Sequence, residues 1–85
     1  MYQVQLHNQV SKKLKSLNSK DKLRIVDKIF ELSQDPDSLT LDIKKLAGEP
    51  FYRLRVGNWR IIFHRDNVLK IISIEKLKPR GDAYK

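Results

Sequence analysis

The stretch Tyr52-Arg53-Leu54-Arg55-Val56-Gly57-Asn58-Trp59-Arg60-Ile61-Ile62-Phe63 decides the fold, because it reads as a β-hairpin carrying its own turn. Tyr52, Leu54 and Val56 alternate with Arg53 and Arg55, and the run from Trp59 to Phe63 is rich in aromatic and β-branched residues, so both flanks suit strands. Gly57-Asn58 supplies a two-residue loop with glycine at the first central position, where a type II′ turn needs positive φ. That loop sets Val56 opposite Trp59 and Arg55 opposite Arg60. With a side-chain period of two, Arg53, Arg55 and Arg60 share one face, while Tyr52, Leu54, Val56, Trp59 and Ile61 share the other. Like charges directly opposite across a ladder are unfavourable. The arginine face is therefore either a solvated basic surface or a seat for an anion such as phosphate.

Working outward, Tyr2 to Leu6 alternates as a short strand, and Asn8 is placed to cap a helix carrying Val10, Leu14 and Leu17 on one side. Asn18-Ser19 interrupts it. A second helix, capped by Ser19, runs to Gln34 with Leu23, Val26, Ile29, Phe30 and Leu32 as a broad apolar face, and Asp35-Pro36 ends it. Residues 37–50 read as an irregular connection anchored by Leu39, Leu41, Ile43 and Leu46, with Gly48-Glu49-Pro50 turning into the hairpin. Beyond the hairpin, Asp66-Asn67 turns into Val68 to Ile74, whose near-continuous apolar character predicts a strand buried on both faces. Glu75 to Lys85 is polar and basic, and Pro79 and Gly81 bar a regular helix. The order is β-α-α-β-β-β. These readings predict an α+β fold, a two-helix hairpin packed on one face of a small, largely antiparallel sheet, forming a single domain over residues 1–85.

The chain has 85 residues, 40% hydrophobic and 33% charged, which suits one small core with little to spare. It has no cysteine and only two histidines, His7 and His64, so thiolate metal sites and a zinc site built from imidazoles are not expected, and no cofactor is called for. No apolar run suggests a signal peptide or a membrane span, and a cytoplasmic location is the default expectation. The net charge of +8 is unevenly placed: residues 1–43 hold seven Lys/Arg against six Asp/Glu, and residues 44–85 eleven against four. The excess lies with the strands. A sheet face studded with arginine suits a phosphate backbone better than a bilayer, which would want a basic amphipathic helix. Trp59, Phe63, Phe51 and Tyr52 stand at strand spacing beside aliphatics and are assigned to packing. Lys12, Lys13, Lys15, Lys20, Lys22, Arg24 and Lys28 form a solvated helix surface that could add only sequence-independent attraction to a nucleic acid.

The element order, Lys45-Leu46-Ala47-Gly48 leading into Tyr52-Arg53-Leu54-Arg55, the Trp59 to Phe63 strand, and the ending Lys78-Pro79-Arg80-Gly81-Asp82-Ala83-Tyr84 together resemble the RelE/ParE superfamily of bacterial and archaeal toxins. The resemblance spans essentially the whole chain. It implies the toxin of a type II toxin-antitoxin system, neutralised by a cognate antitoxin. RelE-type members are mRNA interferases that cleave messenger RNA in the ribosomal A site, whereas ParE-type members share the fold and poison DNA gyrase. A RelE-type enzyme would drive a ribose 2′-hydroxyl onto the adjacent phosphate, without a metal where cations meet that phosphate. On this resemblance Arg60 takes the phosphate-stabilising position. Arg53 and Arg55 fall where well-studied members carry lysines, and arginine's pKa above about 12 leaves them substrate grip and charge stabilisation rather than base chemistry. His64 shares the face of Arg60 and Ile62 and is a candidate proton acceptor or RNA contact. Lys78 falls where some members carry an arginine acting as general acid, Arg80 matches a recurrent basic, RNA-binding position, and Tyr84 matches a tyrosine that stacks on or orients a base. Two other readings stand beside the interferase: a ParE-like inhibitor of gyrase, and a catalytically weak RNA-binding member, suggested by arginine where a base is expected. The implied antitoxin would be an extended or helical segment with acidic and apolar residues.

Overall fold

A computed structural model describes residues 1–79. The hairpin forms as its sequence predicts: β3 (Tyr52–Val56) and β4 (Trp59–Asp66) pair antiparallel with Val56 opposite Trp59 and Arg55 opposite Arg60. Gly57 sits at φ 57°, and among the described residues the one non-glycine with positive φ is Lys70. Positive φ at the first turn residue alone is the type II′ pattern, which matches the twist of the flanking strands.

Around the hairpin lie β1 (Gln3–Leu6), α1 (Asn8–Ser16), α2 (Ser19–Gln34), β2 (Asp42–Lys45) and β5 (Ile71–Pro79). The five strands form one sheet in the order β1-β5-β4-β3-β2. Every pairing is antiparallel except β1 with β5, which is parallel. Both helices lie on one face. Val10, Ile25, Ile29 and Leu32 from the helices meet Leu54, Val56, Ile61, Phe63, Ile72, Ile74 and Leu77 from the sheet in one buried core. Tyr52 stacks on Phe63 at a centroid distance of 5.5 Å, so these aromatics serve packing as expected.

Several local expectations are corrected. Asn8 is the first helical residue of α1 and His7 occupies its N-cap, whereas α2 is capped by Asn18, whose side chain accepts from the Asp21 backbone N–H at 2.9 Å. An Asx side chain reaches the N–H two or three residues on, so the cap lies one residue earlier than Ser19. The apolar face of α2 is only half used. Ile25, Ile29 and Leu32 reach the core, while Leu23, Val26 and Phe30 stay exposed because they turn away from the sheet.

The connection over residues 37–50 is not irregular throughout: Asp42 to Lys45 adds an edge strand to β3, with Asp42 opposite Arg55 and Lys44 opposite Arg53. Val68 and Leu69 lie in the turn rather than in the strand, their backbone N–H groups both donating to the Asp66 carboxylate at 3.0 and 2.9 Å. The last strand instead runs on to Pro79, and its buried residues are Ile72, Ile74 and Leu77, with the intervening positions facing the open side. A β-bulge reconciles that spacing. Ile62 pairs with Lys76 and Phe63 with Ile74, which leaves Glu75 as the extra residue and keeps Leu77 on the core side.

Candidate functional site

The sheet face away from the helices carries the charge. In register across it stand Asp42, Arg55, Arg60 and Lys78 in one row, and Lys44, Arg53, Ile62 and Lys76 in the next. Period two on four adjacent strands puts all eight side chains on that face. The hairpin reading of an arginine cluster is thus reproduced, with two lysines added from β5.

The three arginines are not equivalent. Arg53 donates from Nη2 to Asp42 Oδ1 at 3.2 Å, and Arg55 Nη1 lies 4.0 Å from Asp42 Oδ2. The carboxylate on the edge strand therefore offsets the like-charge cost of the hairpin, since it faces both cations from the next strand. Arg53 Nε is buried with no hydrogen-bond partner among the described residues. Arg60 is 2% exposed, the one buried charged side chain among the described residues. An anion meeting a guanidinium so far removed from water interacts more strongly than one meeting a solvated side chain.

Arg60, Ile62, Lys76 and Lys78 form the floor of a cleft of about 620 Å³, whose rim is His7, Gln9, Leu46, Glu49, Phe51 and Glu75. That volume lies in the range of small-molecule sites, about 300 to 1,000 Å³. Arg60 and Lys78, direct partners across β4 and β5, meet in it. Arg53 and Arg55 stand outside the cleft on the neighbouring strand. His64 is half-buried with its ring edge-on to Phe51, centroids 6.4 Å apart, and does not line the cleft. Arg80 and Tyr84 lie outside the described residues.

Three polar groups of this region escape sequence reasoning. Asp42 was hidden in a segment without a clear strand pattern. Glu75 reaches the cleft because of the bulge, which a period-two pattern does not reveal. His7, at the N-cap of α1, touches the Glu75 carboxylate through Nε2. A second charged knot sits at the far end of β4, where Arg65 donates to both Asp37 oxygens at 2.9 and 3.3 Å and to Asn67 at 2.8 Å. Hydrogen bonding by that guanidinium, and then its charge, holds the Asp37 carboxyl below its ordinary range.

Comparison with known proteins bears on the family and the fold. Residues 4–81 match the family model described as the ParE toxin of type II toxin-antitoxin systems, parDE. The chain is 33% identical over 86 residues to the "Putative toxin RelE1" of Methanocaldococcus jannaschii, covering 99% of this chain and 96% of that protein. The fold superposes on a chain of the archaeal RelE-RelB complex from Pyrococcus horikoshii OT3 with a TM-score of 0.83 and 37% identity, over 94% of this chain and 96% of that one. For the intact RelBE toxin-antitoxin complex of E. coli the TM-score is 0.78 at 16% identity, over 93% and 96% of the two chains, a likeness of fold alone.

Proposed function

Because the chain belongs to the ParE/RelE family and is a type II toxin-antitoxin toxin of the RelE kind, we propose that it is a ribosome-dependent mRNA endoribonuclease held inactive by a cognate antitoxin. The observation that carries this reading is the pairing of buried Arg60 with Lys78 on the floor of a ligand-sized cleft. In the reaction a ribose 2′-oxygen bonds to the adjacent phosphorus and the bond to the 5′-oxygen breaks, leaving a cyclic phosphate and a free 5′-hydroxyl. Negative charge grows on the phosphoryl oxygens. Arg60, with its planar fork of donors, stabilises them, and such preorganised donors are worth about 2.7–4 kcal/mol each. Lys78 beside it is the proton donor for the departing 5′-oxygen.

Arg53 and Arg55 grip flanking phosphates, moderated by Asp42, while Arg80 and Tyr84 keep the RNA-binding and base-orienting roles that the resemblance implies. His64 contributes an RNA contact beside Phe51. The antitoxin reading is supported by the RelE-RelB complexes among the similar structures and by Leu23, Val26 and Phe30, apolar anchors left open on α2. An acidic, partly apolar segment would complement both these anchors and the basic sheet.

The test is induction of the chain without antitoxin, followed by primer extension on a translated message and on the same message lacking its start codon. Breaks confined to the translated message, and lost in Arg60→Ala, are expected. The match to a ParE family model favours one other reading, inhibition of gyrase. It predicts growth arrest with intact messages and little effect of Arg60→Ala. The ion pairs that occupy Arg53 and Arg55 would suit a weakly catalytic RNA binder, which predicts RNA affinity without breaks.

A further inference from the structure

The cleft holds cations enough for a phosphate, but the reaction proposed above also needs a group to take the 2′-proton. Arginine holds its proton and stabilises charge, and Lys78 is given above to the departing 5′-oxygen. The cleft-lining side chains able to accept a proton are His7, Glu49 and Glu75. Two of these three touch one another. His7 Nε2 meets Glu75 Oε2, with His7 60% and Glu75 23% exposed, so the carboxylate is set into the wall and the imidazole stands toward solvent.

Their backbones are fixed by regular structure. His7 donates its N–H to Ile74 O at 3.1 Å and accepts from Ser11 N–H at 3.0 Å, which ties it both to β5 and to the first turn of α1. Glu75 is the bulged residue of β5, and a bulge is a device that re-aims a side chain within a strand. The bulge that keeps Leu77 in the core also turns Glu75 to the cleft.

From this placement we propose that His7 and Glu75 form the proton-accepting pair of the active site, an inference that rests on the ribonuclease reading. Glu75 accepts the His7 Nε2–H, fixes the ring and leaves the Nδ1 lone pair to take the proton. The 2′-hydroxyl gives its proton to Nδ1 as its oxygen bonds to phosphorus. The bond from phosphorus to the 5′-oxygen breaks, and Lys78 protonates that oxygen. The imidazolium then returns its proton to water. Gln9, Glu49, Arg60, Lys76 and Lys78 are the polar and charged groups that share the cleft with the pair.

The experiment measures single-turnover cleavage of a message on programmed ribosomes across neutral pH, using the full chain, with ribosome affinity and melting temperature recorded for each variant. His7→Asn keeps a good helix cap, and Glu75→Gln keeps the shape of the bulge. His7→Asn is expected to cut at least about 100-fold more slowly, with the rising limb of the pH profile flattened and affinity unchanged. Glu75→Gln should be slower by a smaller factor and shift that limb. In His7→Gly, also tolerated at a cap, added imidazole should restore part of the rate, which a merely structural role would not allow. Wild-type rates and pH profiles in His7→Asn and Glu75→Gln, with cleavage still lost in Arg60→Ala, would overturn the pair and leave the ribonuclease reading standing. Intact messages with the wild-type chain would overturn both.

Discussion

At the scale of single residues, charge partners decide which sites are sensitive to pH and which to backbone geometry. Asp37 and Glu31 both titrate below their ordinary values of 3.8 and 4.5, Asp37 through Arg65, and Glu31 first through the Thr40 hydroxyl and then through Lys28. A carboxyl whose folded pKa is depressed contributes stability above its unfolded pKa and loses it as pH falls through the folded one. Urea midpoints measured from about pH 5 down to about pH 2 should therefore fall steadily, and the gap between wild type and Asp37→Asn should close at the acid end. Arg65→Ala should lower the melting temperature at neutral pH, because that side chain also reaches Asn67 and the ring of Tyr2. Gly57 poses a backbone question instead. Among the described residues a Cβ there would meet only Arg24 Nη1, at 3.7 Å, so Gly57→Ala should cost about 1–2 kcal/mol from positive φ, and Gly57→Asn less. Denaturant unfolding of the two variants checks the ranking.

At the scale of elements, the hairpin was readable because three signals agreed: alternation, a glycine where positive φ is needed, and β-branched flanks. The core strands respond as that reading implies, and Leu54→Ala, at a fully buried position, should cost about 2–5 kcal/mol in equilibrium unfolding. The edge strand β2 was not readable. Asp42-Ile43-Lys44-Lys45 shows one apolar residue in four and borrows its conformation from β3, a tertiary effect that local pattern does not contain. Its charge matters more than its packing. Asp42→Asn should change stability by less than about 1 kcal/mol, as exposed pairs do, yet raise the potential over Arg53 and Arg55 and tighten the proposed binding to ribosomes. The candidate site divides in the same way. Arg53, Arg55, Arg60 and Lys78 followed from strand period and resemblance, whereas Glu75 depends on a bulge and His7 on where α1 docks, neither of which leaves a periodic trace.

At the scale of the whole molecule, most of the excess positive charge belongs to the half of the chain that forms the sheet, and the open face displays it beside the cleft. The proposed association with ribosomes should weaken steeply with salt, and replacing Lys76 in the cleft should lower the slope of log affinity against log salt by about one if that lysine meets a phosphate. Binding measured over a salt series tests this. The parallel pairing of β1 with β5 has a further consequence, for the chain's own synthesis. The first strand made waits for the last, and β5 lies between β1 and β4 in the sheet. A growing polypeptide can form its helices and the hairpin, but part of the floor of the cleft is missing until β5 has been made. A protein whose proposed target is the translating ribosome thus gains a complete cleft only once β5 has emerged from the ribosome making it, which gives a cognate antitoxin time to be present at that moment.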